Sequence, residues 1–200
     1  MTTIGLTGGI GSGKSFVAER FTAMGIPCYN CDERAKLLYD TDTIKRLVTE
    51  RYGAEAYTDG KINRRFLADR IFADKAELAW IESVIHPAVR ADFEVWRNRQ
   101  TTETVVVESA ILFDGGLQDL CSTIVAVVAP LDVRIARVMQ RDGATQEHVK
   151  LRIANQRDDA YFRTHANYII VNDGAADIDG EINKIIENQR NARSGKSVKR

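Results

Sequence analysis

The sequence predicts an α/β fold of three layers, with a parallel sheet enclosed by helices, and three observations carry that prediction. Short β-rich runs alternate with helical stretches along the chain. Runs such as Val105-Val106-Val107 and Ile124-Val125-Ala126-Val127-Val128 are apolar without alternation, as strands buried on both faces are. A glycine-rich stretch separates the first strand from the first helix. The chain has 200 residues, 44% of them hydrophobic, so one domain with small insertions is expected.

The strands are expected at residues 3–7, 27–30, 104–108, 123–129 and 168–171. The first helix starts near Lys14, carries Val17, Phe21 and Met24 on one side and stops at Gly25. Residues 32–100 are mostly helical in pattern and rich in charge, with one turn signal at Thr58-Asp59-Gly60, and read as a helical insertion. Within it Pro87 follows His86, and the restriction that proline places on its predecessor predicts a helix boundary there. Residues 140–166 form a second polar helical stretch and read as a lid. The core is then about 1–31, 101–139 and 167–190, and residues 191–200, basic and without an apolar period, are expected to be disordered.

Gly8-Gly9-Ile10-Gly11-Ser12-Gly13-Lys14-Ser15 satisfies G-x-x-x-x-G-K-[ST] in full, between a predicted strand and a predicted helix. Glycines let backbone N–H groups turn inward around phosphate oxygens, and the helix N-terminus adds the positive end of its dipole. Lys14 reaches the β- and γ-phosphates of a nucleotide, and Ser15 offers a hydroxyl ligand to Mg²⁺. Asp32, directly after the second strand, stands at the carboxyl end of the sheet where ligands of open α/β folds bind. A carboxylate there suits proton acceptance from an attacking hydroxyl, Mg²⁺ binding through water, or capping of the helix that follows.

Other features weigh less. Lys plus Arg and Asp plus Glu both total 28, so no global field holds a polyanion, and nucleic-acid binding is not expected. The opening residues lack the basic start and apolar core of a secretory signal, and no run is long enough to span a bilayer, so a cytoplasmic location is expected. Cys28 and Cys31 have C-x-x-C spacing without a second close pair, and are read as two reduced thiols at a strand end. Asp177-Ile178-Asp179-Gly180 has the D-x-x-G form of a nucleotide switch, but follows the last strand, and no N-K-x-D motif accompanies it. Arg134, Arg137 and Arg141 share one helical face, with Leu131, Ile135, Val138 and Met139 as an apolar stripe. Such a row is either a solvated face or the basic side of a lid.

The stretch from Leu6 through Ser15, with its doubled glycine and isoleucine, resembles the signature of the dephospho-CoA kinase family. The resemblance continues through Gly25-Ile26-Pro27 to Asp32, Ile62-Asn63-Arg64, Ile85-His86-Pro87, Ile111-Leu112-Phe113, Arg137 to Asp142 with Arg152 and Gln156, and Asn172-Asp173-Gly174. Departures are Asn30 for the first acid of an Asp-x-Asp pair, Asp114 for Glu, Asn167 for Asp, and Glu108-Ser109-Ala110 for a proline-containing approach.

The resemblance implies a P-loop NTPase fold with a helical substrate-binding insertion and a small helical lid. It implies transfer of the ATP γ-phosphate to the ribose 3′-hydroxyl of dephospho-CoA, with Mg²⁺; a monomer with small-molecule partners, and with neither nucleic acid nor membrane, is expected. Asp32 would be the base, Lys14 and Arg141 would offset charge, and Gly8, Gly9, Gly11, Ser12, Gly13, Lys14, Ser15 and Phe16 would hold ATP. Arg64 and His86 would join Asp32 around the CoA precursor. Another P-loop nucleoside or nucleotide kinase, or a nucleotide-binding switch, are the alternatives.

Overall fold

A computed structural model of the protein describes residues 1–194, the side chains of residues 72 and 73 excepted. The chain divides into two compact units, one made of Met1–Cys28 with the chain from Gln100 onward, the other of Tyr29–Arg99.

The first unit holds strands β1 (Thr2–Thr7), β5 (Thr104–Glu108), β6 (Thr123–Val128) and β7 (Tyr168–Val171), and the chain leaves it through β2 (Cys28–Asn30). Sheet order is β2-β5-β1-β6-β7, and β1 lies parallel to β5 and β6, as β6 does to β7. Parallel pairing brings the carboxyl ends of β5, β1, β6 and β7 to one edge. Register pairs Leu6 with Glu108 and Thr7 with Ala126, so the end of β1 opens between two neighbours.

Helices α1 (Lys14–Ala23) and α9 (Ile178–Arg193) cover one face. Val17, Ala18 and Phe21 from α1 meet Ile178, Ile182, Ile185 and Ile186 from α9 over Ile4, Leu6, Val106, Val125 and Val127. The i, i+4 spacing of those residues makes each helix one-sided, and Phe21, with no exposed surface, would cost about 3–5 kcal/mol to truncate to alanine. Helix α1 ends in paired bonds, Gly25 N–H to Thr22 and Ile26 N–H to Phe21, the double closure of a Schellman turn. Three further helices, α6 (Leu131–Asp142), α7 (Gln146–Ala154) and α8 (Asp159–His165), lie between β6 and β7 in the chain. Ile135, Val138 and Val149 form a small core of their own, to which Ile10 is added.

The second unit consists of α2 (Cys31–Leu38), α3 (Asp42–Tyr52), α4 (Arg64–Ala73), α5 (Lys75–Asn98) and a hairpin of β3 (Tyr57–Thr58) and β4 (Lys61–Ile62). The hairpin turns on Asp59 and Gly60, both at positive φ, as a two-residue I′ turn requires. Ile44, Val48, Ala56, Ile62, Leu67 and Ile81 make its core. Tyr29 packs edge-on to Phe93 and donates its hydroxyl to Asp92 at 2.6 Å, and Arg34 grips the same carboxylate with two nitrogens at 2.8 and 2.7 Å. Helix α2 is thereby fixed to α5.

Two expectations change. The predicted helix boundary at His86-Pro87 is absent: α5 runs unbroken from Lys75 to Asn98. A proline inside a helix costs about 3 kcal/mol. Ile81, Ile85, Val89 and Phe93, four apolar residues at four-residue spacing, are buried along α5, each contributing about 1.5–3 kcal/mol, which outweighs that cost. At the other end, α9 extends to Arg193, past residue 191, where disorder is expected to begin; the rest of that expectation, at 195–200, lies outside the described residues.

Candidate active site

Every residue of the glycine-rich loop sits between the end of β1 and the start of α1. Gly13 takes the N-cap position of α1 at φ 94°, and no side chain caps the helix. The first N–H groups of α1 therefore point, with the helix dipole, at whatever the loop encloses. Gly8, at φ 142°, is pressed so closely to Val127 that a Cβ would lie 2.2 Å from its carbonyl oxygen. The loop closes on itself through Ser12 N–H to Gly9 O at 3.2 Å, and Lys14 Nζ reaches back to Gly9 O at 3.4 Å. Ser15 Oγ donates to Glu108 Oε1 at 3.0 Å. Thr7 and Ser12 keep buried hydroxyls for which the described residues offer no hydrogen-bond partner.

The outer side of the loop is held by residues far along the chain. Ile10 N–H donates to Gln156 Oε1 at 2.7 Å, and Arg134 Nε donates to the Ile10 carbonyl at 3.0 Å. Asn172 Nδ2 donates to Ser12 O at 2.9 Å, while Arg137 Nη1 donates to Asn172 O at 3.1 Å and Ser12 O at 3.4 Å. A cleft of about 660 Å³ opens beside this clamp, lined by Gly13, Phe16, Arg137, Asn172, Gly174 and Asp177 among others. A phosphate cradle with a neighbouring cleft for a base or sugar suits a nucleotide. Ser15 and Glu108 place a hydroxyl and a carboxylate oxygen together at the cradle's foot, hard donors of the kind Mg²⁺ takes, so the residues present fit that ion.

The arginine row does not form one uniform face. Arg134 is buried beneath the loop, Arg137 touches it, and Arg141 is exposed and bound to Asp142 at 2.6 Å, where Arg152 also binds at 2.6 Å. Four residues carry Arg141 about 6 Å further along the axis than Arg137. Arg141 first and Arg152 second hold the Asp142 carboxyl well below the usual range. The expected apolar stripe is also split: Ile135 and Val138 are buried, whereas Leu131 and Met139 are exposed.

In the second unit, Asp32 is exposed in the first turn of α2. The cap of that helix is Asn30, whose side chain accepts from Glu33 N–H at 2.9 Å, so capping is not Asp32's task. Arg64 is exposed at the start of α4, which Asn63 caps. Nearby Asp40 accepts from Ile62 N–H and from Lys61, and these bonds, with Arg64 contributing, hold its carboxyl below the ordinary value. His86 is half-buried on α5.

Cys28, Cys31 and Cys121 are not joined in disulfides. Burial pushes the Cys28 thiol up to about 11, the opposite of a reactive cysteine. Among the described residues no group of three His, Cys, Asp or Glu could hold a metal ion. Asp177 of the D-x-x-G tetrapeptide caps α9 by accepting from Gly180 N–H at 3.0 Å. Sequence reading missed Glu108 and Arg134 as site residues. The signal for Glu108 was a carboxylate ending the apolar β5 run; Arg134 had none, since its contact with Ile10 spans 124 positions.

The model of the dephospho-CoA kinase family matches residues 2–177. The dephospho-CoA kinase of Porphyromonas gingivalis is 37% identical over 195 residues, covering 96% of each chain. That of Bacteroides fragilis is 36% identical, covering 92% of this chain and 90% of its own. Among solved structures, TT1252 of Thermus thermophilus superposes with a TM-score of 0.83 at 31% identity, over 94% of this chain and 97% of that one. A shikimate kinase of Acinetobacter baumannii, at 15% identity and a TM-score of 0.55 over 95% of both chains, shares the fold. With the family's model matching through the loop and the sheet as far as Asp177, the cap of α9, this chain belongs to the dephospho-CoA kinase family.

Proposed function

We propose that this protein transfers the γ-phosphoryl group of ATP to the ribose 3′-hydroxyl of dephospho-CoA, releasing CoA and ADP. The observation that carries the reading is the uncapped N-terminus of α1 beneath a closed glycine loop, with Lys14 and the Ser15–Glu108 pair at its foot. Gly8, Gly9, Gly11, Ser12 and Gly13 shape the cradle, and Phe16 and Arg137 wall the cleft that takes the nucleoside. Ser15 and Glu108 are the residues to hold Mg²⁺, directly or through water; when bound, it offsets charge on the phosphates.

In the reaction the acceptor oxygen forms a bond to the γ-phosphorus as the bond to the β,γ-bridging oxygen breaks. Asp32 receives the hydroxyl proton, and Lys14 offsets the charge gathering on the departing ADP. Arg141 reaches the phosphates only by leaving Asp142, which makes residues 140–166 a lid whose closure trades one anionic partner for another. Residues 32–100 bind the CoA precursor, with Arg64 and His86 among the contacts. No helix among the described residues is long and apolar enough to cross a membrane; we place the enzyme in the cytoplasm as a monomer with small-molecule partners.

The test is ADP release from ATP and Mg²⁺ with dephospho-CoA, beside AMP, adenosine and pantetheine as acceptors. Selective turnover to a 3′-phosphorylated product, lost in Asp32→Ala, is expected; turnover only on another acceptor would discard the substrate and keep the kinase.

A further inference from the structure

Arg134 is a cation in a place that does not fully compensate it. Its side chain is 6% exposed, and its one ion pair among the described residues, Nη1 to Asp159 at 3.3 Å, goes to a carboxylate that is 36% exposed. Nε donates to the Ile10 carbonyl. Nη2 is buried and has no hydrogen-bond partner among the described residues. It lies against the loop itself, 2.2 Å from where a Cβ on Gly9 would stand, so a side chain at Gly9 would have to displace the guanidinium. Burial pushes the guanidinium down, with Asp159 acting against it. A buried ion that is only partly paired is a weak contributor to stability, because desolvation is not fully repaid.

The loop corner above it is tethered on three sides. Ile10 is held at its N–H by Gln156, at its carbonyl by Arg134, and by its side chain against Ile135, Val138 and Val149. Arg134 thus sits under a fixed turn of backbone whose opposite side is built for an anion.

We propose that Arg134 is a positioning residue for the phosphate loop whose buried charge is under-compensated in the nucleotide-free protein and is answered by the polyphosphate of the bound nucleotide. Part of the nucleotide affinity then comes from relief of a cost already present in the fold. The inference rests on the loop being the ATP site, and it differs from a purely structural role in predicting opposite effects on stability and on binding.

The experiment measures ADP binding in the presence of Mg²⁺ by calorimetry, and Tm with and without ADP, for wild type, Arg134→Met and Asp159→Asn. Methionine matches much of the arginine stem without its charge. Arg134→Met is expected to bind ADP about tenfold or more weakly, in the range of a lost charge-assisted interaction, while its nucleotide-free Tm stays level or rises. Asp159→Asn, which strips the partial counter-charge, is expected to lower the nucleotide-free Tm and to keep or enlarge the rise that ADP produces. Unchanged ADP affinity in Arg134→Met, a nucleotide-free Tm that falls in that variant, or failure of it to fold would overturn the proposal. A shrunken ADP response in Asp159→Asn would do the same. Wild-type protein that binds no ADP would instead overturn the reading of the loop on which the proposal stands.

Discussion

The two units handle their polar groups in opposite ways. Around the phosphate loop, Ser12, Glu108, Arg134 and Asn172 are all buried, and the bonds Ser15–Glu108, Arg134–Ile10 and Asn172–Ser12 each cross a long stretch of sequence. In the helical unit, Asp32 and Arg64 are exposed and His86 is half-buried, while the buried positions go to apolar residues such as Ile44, Val48, Leu67, Ile81 and Ile85. A phosphate gripped by backbone N–H groups needs one rigid turn, and a rigid turn is written in consecutive residues. A larger organic substrate is met by side chains projecting from several helices, and no consecutive motif records that.

Four substitutions test the contrast. Lys14→Met should act most severely, lowering kcat/KM by about 10³–10⁵, because it removes a fixed charge from the transferring phosphates. Asp32→Asn should lower kcat by about 10²–10⁴ while ADP affinity, measured by calorimetry, stays at the wild-type value; weakened ADP binding would break the division of labour between the units. Arg64→Ala should raise KM for dephospho-CoA about tenfold with KM for ATP unchanged, the signature of a substrate contact that is lost in the ground state and the transition state alike. Asn30→Ala removes the cap of α2 at a cost of about 1 kcal/mol, read as a Tm lowered by about 2–4 °C, with kcat reduced only as far as the position of Asp32 depends on that cap.

A fifth expectation concerns Cys28. With its thiol raised to about 11, iodoacetamide at pH 8 should leave Cys28 of the folded protein unmodified and label it after unfolding. Rapid labelling of the folded state would revive the redox reading of the C-x-x-C spacing.

Sequence carried the sheet well, because strands buried on both faces must be apolar throughout: β5 and β7 begin and end where the apolar runs do, and β1, β2 and β6 differ by a residue at one end. The loop was legible for the same reason, its chemistry being confined to adjacent residues. Local rules misled at Pro87, where the apolar stripe of α5 outweighed a single residue's preference. They fell short at Arg134, which as part of an arginine row reads as either a solvated face or the basic side of a lid, and is instead buried. Only its partners, Ile10 and Asp159, explain its burial, and neither is its neighbour in sequence. In sequence Asn30 is only a departure from an acidic pair; its use as a cap depends on the backbone of α2, which brings Glu33 N–H to its side chain.

The clamp on the phosphate loop has a consequence for synthesis of the chain. β1 and the loop emerge before the partners that fix Ile10 and Ser12, which follow 124, 146 and 160 positions later. At about 5–20 residues per second, the ribosome takes roughly 10–30 s to supply the last of them. During that interval ATP finds no finished cradle to bind, so the nucleotide cannot stabilise a nascent N-terminal fragment. A chain truncated before Asn172 should be a poor ATP binder however intact its glycine motif.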